Sequence, residues 1–374
     1  MTPNPSLQPT CYGLRPPHAA ELKRWAFIMS RACSIICACF LLSLCCSFSS
    51  AYAEAVNPAT VFDSSHFDQA QQLKAILEQP ENGIDFARVK LTIDKMVDPS
   101  IDVEANVRKI DAIVKTIKTM LVADATSMDK MLAIKKYLYE DGAWNDYLPY
   151  RYDFDDPKGV RVINKLLPNY LVTKKGNCVS MPLLFIILGQ RLGIDVTAST
   201  APKHLLVKYT DNGTGQTYNL EATSGANFSR DVWYQQTMNI TNEALANRIY
   251  LQKLSKQETV AVMATVLAES YLDKQEYEKA MMISEMVLRY FKNDVDVMLM
   301  KGVLFYRLLA KNYLKKYPAP NLIPEPERPY FQFLSTNNLY WFEKAEKLGW
   351  RELTPEDEQD YLKIVKRDAD KLRK

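Results

Sequence analysis

The sequence predicts an α+β core followed by an all-α helical domain, and three observations support this. Apolar residues recur at helical spacing before residue 140. Between residues 176 and 221, an apolar helix pattern precedes two segments of strand pattern. From about Asn242, the composition changes to helix-forming residues without a strand signal. We therefore expect four parts: a leader at 1–53, an N-terminal helical segment at 54–125, the α+β core at 126–240 and the helical domain at 241–374.

The first 53 residues have the features of a removable signal peptide. An almost wholly apolar run at 32–48 follows basic residues, and Ala51-Tyr52-Ala53 supplies a small-x-small cleavage signal. The run is shorter than the roughly 20 residues that a bilayer span needs. We expect cleavage before Glu54, export to the periplasm or beyond, and no stable membrane insertion after processing. A retained transmembrane helix is the alternative, and Met29 is a second possible translation start.

Charge and cysteine content narrow the function classes for the processed chain. The chain has 47 basic and 44 acidic residues, and removal of residues 1–53 leaves 43 of each. A near-neutral chain argues against nucleic-acid binding, which requires a basic surface. Six of the seven cysteines lie at or before Cys46, so the processed chain keeps only Cys178. A lone thiol in an oxidising compartment is either buried or used in chemistry.

Three helices are predicted before residue 142. One follows from the spacing of Phe86, Val89, Ile93 and Met96, and a second lies between residues 107 and 117 beyond Asp98-Pro99-Ser100. The third begins at Ser127 as its N-cap and ends before Asp141-Gly142.

An aromatic and acidic stretch follows from Trp144 to Pro157. Asp153, Asp155 and Asp156 lack the distal bidentate Glu of a calcium loop, so a solvated loop is the preferred interpretation.

Cys178 stands at the predicted N-terminus of a buried helix. Residues 181–188 are apolar on nearly every side, and Gly193 is placed to end the helix. Pro182 is compatible only with a first turn. Unpaired N–H groups and the helix dipole favour a thiolate at such a position, and the thiolate is the nucleophilic form of cysteine.

Two predicted strands, 204–209 and 216–221, are joined by a segment that contains Asn212-Gly213, a strong hairpin signal. If these two residues form the centre of the turn, His204 lies directly opposite Glu221 and their Cβ atoms are about 5 Å apart. Asn219 is on the same face and is the alternative partner of His204. A loop shifted toward Gly215 would change this register.

A Cys-His-carboxylate set has a defined chemical use. The thiolate attacks an acyl carbon, the imidazole takes and returns a proton, and the third residue holds the imidazole in one tautomer. Cys178, His204 and Glu221 supply these residue types in that order. The Cys178 N–H is the expected first oxyanion donor, and Asn177 or Trp144 is a candidate second donor. No metal or organic cofactor is implied.

These motifs resemble the transglutaminase-like superfamily of papain-type cysteine enzymes. The resemblance covers roughly residues 85–225 and includes Gly176-x-Cys178, an apolar helix, a strand that begins with His204, and Glu221-Ala222-Thr223. It implies that Cys178 is the nucleophile, His204 the general base and acid, and Glu221 the orienting residue. The family often has Asp where this chain has Glu221, and His-x-Trp where it has His204-Leu205-Leu206.

Residues 98–103 and the helix after them are similar to bacterial members of this superfamily that carry tetratricopeptide repeats, and the C-terminal third has tetratricopeptide spacing. Ala264, Leu267, Ala268 and Tyr271 fit the first helix of a repeat, and Met298, Gly302 and Phe305 fit it again 34 residues later. A Pro-rich insert at 317–329 precedes a candidate partner helix at 342–345. Such helices either cap the core or bind a protein partner. The basic C-terminal helix that includes Lys363, Lys366, Arg367 and Lys371 is expected to be a solvated face.

The function expected from the sequence is thiol-dependent acyl transfer on an amide of a protein or peptide, by hydrolysis or by transamidation. The alternative is a non-catalytic scaffold that binds envelope proteins through its helical repeats.

Overall fold

The structure is a computed structural model that describes residues 62–371. The expected leader at 1–53 and its cleavage site lie outside these residues and stay predictions. Within residues 62–371, no helix combines the length and the apolar character that a membrane crossing requires.

The described chain is rich in helix and contains two small sheets. Its α-helices are, in chain order, α1 (Asp68–Leu77), α2 (Phe86–Val97), α3 (Val103–Thr119), α4 (Ser127–Tyr139), α5 (Leu167–Thr173), α6 (Ser180–Arg191), α7 (Asp231–Thr237), α8 (Asn242–Ala246), α9 (Lys256–Asp273), α10 (Tyr277–Tyr290), α11 (Val295–Leu309), α12 (Arg328–Lys347) and α13 (Pro355–Lys371). Its strands are β1 (Arg151–Tyr152), β2 (Lys175–Gly176), β3 (Asp195–Ala201), β4 (His204–Thr210), β5 (Thr217–Glu221) and β6 (Asn227–Ser229).

The three helices predicted before residue 142 are present as α2, α3 and α4, but the N-cap of α4 is Thr126 rather than Ser127. Thr126 and Asp129 form a reciprocal capping box. The Ser127 hydroxyl instead accepts hydrogen bonds from Tyr209 and from the Asn212 backbone. Thr126 and Ser127 both fit the N-cap preference for a hydroxyl residue, so the sequence alone does not distinguish them. In the structure Thr126 caps the helix, and Ser127 binds residues of β4 and the loop after it.

Helix α6 is the buried helix that the sequence predicts after Cys178. Every residue from Ser180 to Gly189 is buried, and the helix ends just before Gly193, which has φ +71°. Pro182 lies in its first turn. The helix packs on β3 and β4, and a Cβ at Gly189 would lie only 2.4 Å from the Val196 side chain. Close contact with the sheet therefore requires glycine at this position.

The larger sheet is antiparallel, with strand order β3-β4-β5-β6. Strand β3 was not predicted. The predicted β4–β5 register was wrong, because Lys208 pairs with Asn219 and Thr210 pairs with Thr217, two residues away from the expected partners. The Asp211 carboxylate accepts hydrogen bonds from the N–H groups of Gly213 and Thr214, and this builds a longer loop that ends near Gly215.

The acidic loop is more buried than predicted. The side chains of Asp153 and Asp156 are each only 6% exposed, so the expectation of a solvated loop was wrong for both. Asp156 accepts hydrogen bonds from the backbone of Val160 and Arg161 and from the Asn164 amide. The exposed Asp155 pairs with Lys175. These carboxylates shape the loop that precedes Gly176-Asn177-Cys178.

Helices α9 to α12 pack in succession, each against the next. A Cβ at Gly302 on α11 would lie 2.7 Å from the ring of Phe342 on α12, and the Asn338 amide donates to the Gly302 carbonyl oxygen (2.7 Å). The Pro-rich insert contains two short 3₁₀ turns, Pro320–Leu322 and Glu325–Glu327. Assignment to tetratricopeptide repeats and the four domain boundaries stay predictions.

Candidate functional site

Cys178 lies just before the first turn of α6. The Asn177 side-chain oxygen accepts hydrogen bonds from the backbone N–H groups of Val179 (3.0 Å) and Ser180 (3.1 Å). A Cβ at Gly176 would lie 2.5 Å from the Tyr170 ring, so a glycine is needed for this close approach. The thiol is 1% exposed. Asn177 thus fixes the first turn of α6, where the helix dipole favours negative charge on a neighbouring group.

A tight turn carries His204 to the thiol. Pro202 and Lys203 connect β3 to β4, and Ala201 pairs with His204 across them. Lys203 adopts a left-handed backbone conformation with φ +55°. The Cys178 Sγ lies 3.8 Å from the Lys203 carbonyl oxygen, so the thiol contacts the residue immediately before the histidine.

His204 and Glu221 are in direct contact despite the difference in register. His204 Nε2 lies 2.8 Å from Glu221 Oε2, and both side chains are buried. A shift of two residues keeps every side chain on its original face of the sheet, since the strand period is two. A diagonal pair has Cβ atoms within roughly 7–8 Å, which the long glutamate side chain can bridge.

The Glu221 carboxylate accepts four hydrogen bonds. Its Oε2 accepts from His204 and from the Tyr234 hydroxyl (2.8 Å), and its Oε1 accepts from the Thr223 backbone N–H (3.1 Å) and hydroxyl (2.6 Å). Burial alone would raise the pKa of Glu221, but the imidazole and these donors lower it below its ordinary value. Glu221 is therefore held as an anion against the imidazole.

Sequence reasoning missed Tyr234 and Thr223 as part of this site. Thr223 belongs to the acid-x-Thr motif already noted, and that motif was the one available signal. Tyr234 is on α7, 13 residues beyond Glu221, and no local pattern in the sequence indicates its contact.

A further residue, Tyr361 of α13, contacts the other nitrogen of the histidine. Its hydroxyl oxygen lies 3.0 Å from His204 Nδ1. The expectation that this C-terminal helix is a solvated face was only partly right. Lys363, Lys366 and Arg367 are exposed, but Val365 is buried and Tyr361 is half-buried.

The alternative site residues have other partners. The Asn219 amide donates to Asp231 Oδ1 (2.6 Å), although Asn219 is on the same face as Glu221. The indole N–H of Trp144 donates to the Lys136 carbonyl oxygen (3.3 Å), which argues against Trp144 as an oxyanion donor. Asn177 donates to the Asn164 carbonyl oxygen (3.1 Å) while its side-chain oxygen accepts from the Val179 and Ser180 N–H groups.

No group of three or more His, Cys, Asp or Glu side chains within residues 62–371 is arranged to hold a metal ion.

Comparison with known proteins supports the resemblance noted in the sequence. Residues 104–265 match the family model described as the transglutaminase-like superfamily, and this segment contains Cys178, His204 and Glu221. A curated relative, the UPF0162 protein of Buchnera aphidicola subsp. Baizongia pistaciae (strain Bp), is 23% identical over 145 residues. The match covers 38% of this chain and 53% of the relative, so the chain spans about half the length of that protein. No solved structure matches the chain.

Proposed function

We propose that this protein, which is similar to the transglutaminase-like superfamily over residues 104–265, performs cysteine-dependent acyl transfer on amide bonds. The proposal rests on one observation. A buried His204–Glu221 hydrogen bond directly follows Lys203, whose carbonyl oxygen contacts the thiol of Cys178, the only cysteine within the described residues. Each residue alone has an ordinary structural role, and their assembly at the start of a buried helix favours a nucleophilic site.

In the first step, the Cys178 thiol gives its proton to His204 Nδ1, because Nε2 is engaged by Glu221. The sulfur attacks the amide carbonyl carbon and the π electrons move to the oxygen, which gives a tetrahedral oxyanion. The ionised Glu221 stabilises the imidazolium that forms and holds its orientation. We assign the Cys178 backbone N–H as one oxyanion donor.

In the second step, the imidazolium returns the proton to the amide nitrogen as the C–N bond breaks, and an amine leaves. The product is a thioester on Cys178. Water or an amine then attacks the thioester carbon while His204 accepts the proton of the attacking group. The C–S bond breaks, and the imidazolium returns that proton to the departing sulfur, which regenerates the thiol. Attack by water completes hydrolysis of a peptide or isopeptide bond, and attack by an amine completes transamidation.

The substrate class that we propose is an amide in a protein or peptide. We further propose that the chain is exported and that its helical region contacts a protein partner, with the region after residue 241 as the binding surface. Mass spectrometry of protein from the native host should find the N-terminus at or near Glu54. A mature chain that retains Cys45 would contradict this.

The decisive experiment for the reaction is acylation by p-nitrophenyl acetate. We expect a burst of p-nitrophenolate and a mass increase of one acetyl group on the tryptic peptide 176–191, which contains Cys178. Cys178→Ala should abolish both signals, and His204→Ala should lower the burst rate. Added hydroxylamine should form acetyl hydroxamate if the thioester admits an amine.

The same experiment tests the non-catalytic alternative. A folded protein that gives no burst, or one that is equally acylated after Cys178→Ala, would favour a scaffold with this fold over an enzyme. Thermal unfolding of each variant separates loss of chemistry from loss of structure.

A further inference from the structure

We propose that α13 is an autoinhibitory cover for this site, which slows the access of substrates to Cys178 until the helix is released. The proposal rests on the proposed acyl transfer, since it describes how that site is regulated. The contact that carries it joins the Tyr361 hydroxyl to His204 Nδ1 across 157 residues of sequence.

The contact occupies the one nitrogen that the reaction needs. Glu221 is an acceptor at Nε2, so the neutral imidazole carries its proton on Nε2 and has its lone pair on Nδ1. Burial and the nearby Glu221 carboxylate raise the pKa of Tyr361 well above its ordinary value, so the phenol is protonated and donates to Nδ1. The phenol and the thiol therefore compete for the same lone pair.

Helix α13 also packs on two segments that hold the partners of His204. It packs on residues 222–224, which directly follow Glu221, and on α7, which carries Tyr234. The ring of Tyr361 meets the His204 ring edge to face, with centroids 5.3 Å apart. In this position the Tyr361 ring and hydroxyl lie against the imidazole.

A cleft lies alongside the cover and is lined in part by the Pro202–Lys203 turn that precedes His204. Leu353, Tyr361 and Leu362 form one wall, and Pro157, Pro202 and Met238 form part of the other. Pro202 belongs to the turn whose Lys203 carbonyl oxygen contacts the thiol. Displacement of α13 would widen this cleft directly over the Pro202–Lys203 turn.

The helix is held by few fully buried side chains, so its release does not require unfolding of the core. Among the α13 side chains whose burial is described, only Val365 is buried. Tyr361 is half-buried, and most of the other described positions are exposed and polar. The cover is thus attached mainly through Val365 and the Tyr361 contact.

The test is the rate at which iodoacetamide alkylates Cys178 in the full chain at neutral pH, followed by mass spectrometry of the tryptic peptide 176–191. Tyr361→Phe keeps the ring and removes the hydroxyl, and we expect alkylation to become about 5-fold faster, as loss of one hydrogen bond allows. Val365→Asp should release the helix and accelerate alkylation further. Tyr340→Phe, at an exposed tyrosine of α12, is the matched control and should change nothing.

If alkylation is unchanged or slower in both Tyr361→Phe and Val365→Asp, the proposal that α13 covers the site is wrong. Slower alkylation would instead make Tyr361 a positioning residue for His204. Thermal unfolding verifies that each variant is folded. Acylation by p-nitrophenyl acetate separates the two proposals. Faster alkylation without any thioester would support the cover and refute acyl transfer. Equal acylation of native and variant protein would support acyl transfer and refute the cover.

Discussion

Glu221→Gln tests the orienting role of the carboxylate more sharply than any other substitution, because the side chain keeps its size and loses only charge and one acceptor. The native carboxylate accepts four hydrogen bonds, two at each oxygen. An amide has one oxygen and one NH₂ group. Whichever way the amide is turned, its NH₂ group faces at least one donor, either the Thr223 N–H or the His204 Nε2–H.

The expected losses of stability and of activity in Glu221→Gln follow from these contacts. One or two buried donors lose their acceptor, and each costs about 1–3 kcal/mol, so we expect the free energy of unfolding to fall by about 2–4 kcal/mol. If the NH₂ group faces His204, the imidazole moves its proton to Nδ1 and cannot accept one from Cys178. Loss of the correct tautomer lowers turnover in Ser-His-Asp enzymes by about 10⁴-fold, and we expect a fall on the order of 10³-fold or more here.

The assay is the burst rate with p-nitrophenyl acetate, measured beside urea unfolding at the same pH. Asn219→Ala is the control, since Asn219 is on the same sheet face but donates to Asp231. Its burst rate should fall less than about 10-fold. A larger loss in Asn219→Ala than in Glu221→Gln would refute the assignment of Glu221, and negligible loss in both would argue against catalysis by these strands.

Three further predictions concern stability. Gly302→Ala places a Cβ about 2.7 Å from the Phe342 ring and should lower the free energy of unfolding by about 1–3 kcal/mol. Adding Phe342→Leu should recover most of this loss, and a neutral Gly302→Ala would contradict the α11–α12 packing. Lys165→Met leaves the buried Glu269 without its partner at 2.7 Å and should cost about 3–5 kcal/mol, most of which Glu269→Leu should restore in a double-mutant cycle. Burial raises the pKa of Asp294 to about 7, so its contribution to stability is present below the unfolded-state pKa and is lost as the pH rises toward 7. Asp294→Asn should therefore raise the free energy of unfolding by up to about 4 kcal/mol near pH 8 and leave it unchanged near pH 3, as urea denaturation would measure.

Patterns within short stretches of the sequence predicted the helices and strands that are determined by neighbouring residues. Helix α6 was predicted because a continuous apolar run of this length that ends at Gly193 is typical of a buried helix. Strands β4 and β5 were predicted from their turn signal, but the register predicted from that signal was wrong. The Asp211 carboxylate captures two backbone N–H groups of the loop and shifts the turn away from Asn212-Gly213. The hydrogen bonds of the Asp211 side chain thus overrode the preference of Asn-Gly for a two-residue hairpin turn.

Contacts across long sequence separations were beyond local reasoning. Tyr361 lies in a helix whose exposed basic residues suggest a solvated face, and its contact with His204 depends on how α13 packs on residues 222–224. Tyr234 was missed for the same reason. The contact between His204 and Glu221 was expected for a register that does not exist. It is nevertheless present in the structure, because a displacement by two residues conserves the face of the sheet.

The order of these parts along the chain has a consequence for biosynthesis. Ribosomes add residues at about 5–20 per second, so Tyr361 is polymerised roughly 10 s after Glu221, about 140 residues earlier in the sequence. The nascent polypeptide thus carries the thiol, the imidazole and the carboxylate before it carries the helix that covers them. Any early-folding nascent chain would expose its reactive groups to cellular amines and oxidants for seconds. Transport of the chain in an unfolded form would avoid that interval, because all segments would then fold together after translocation.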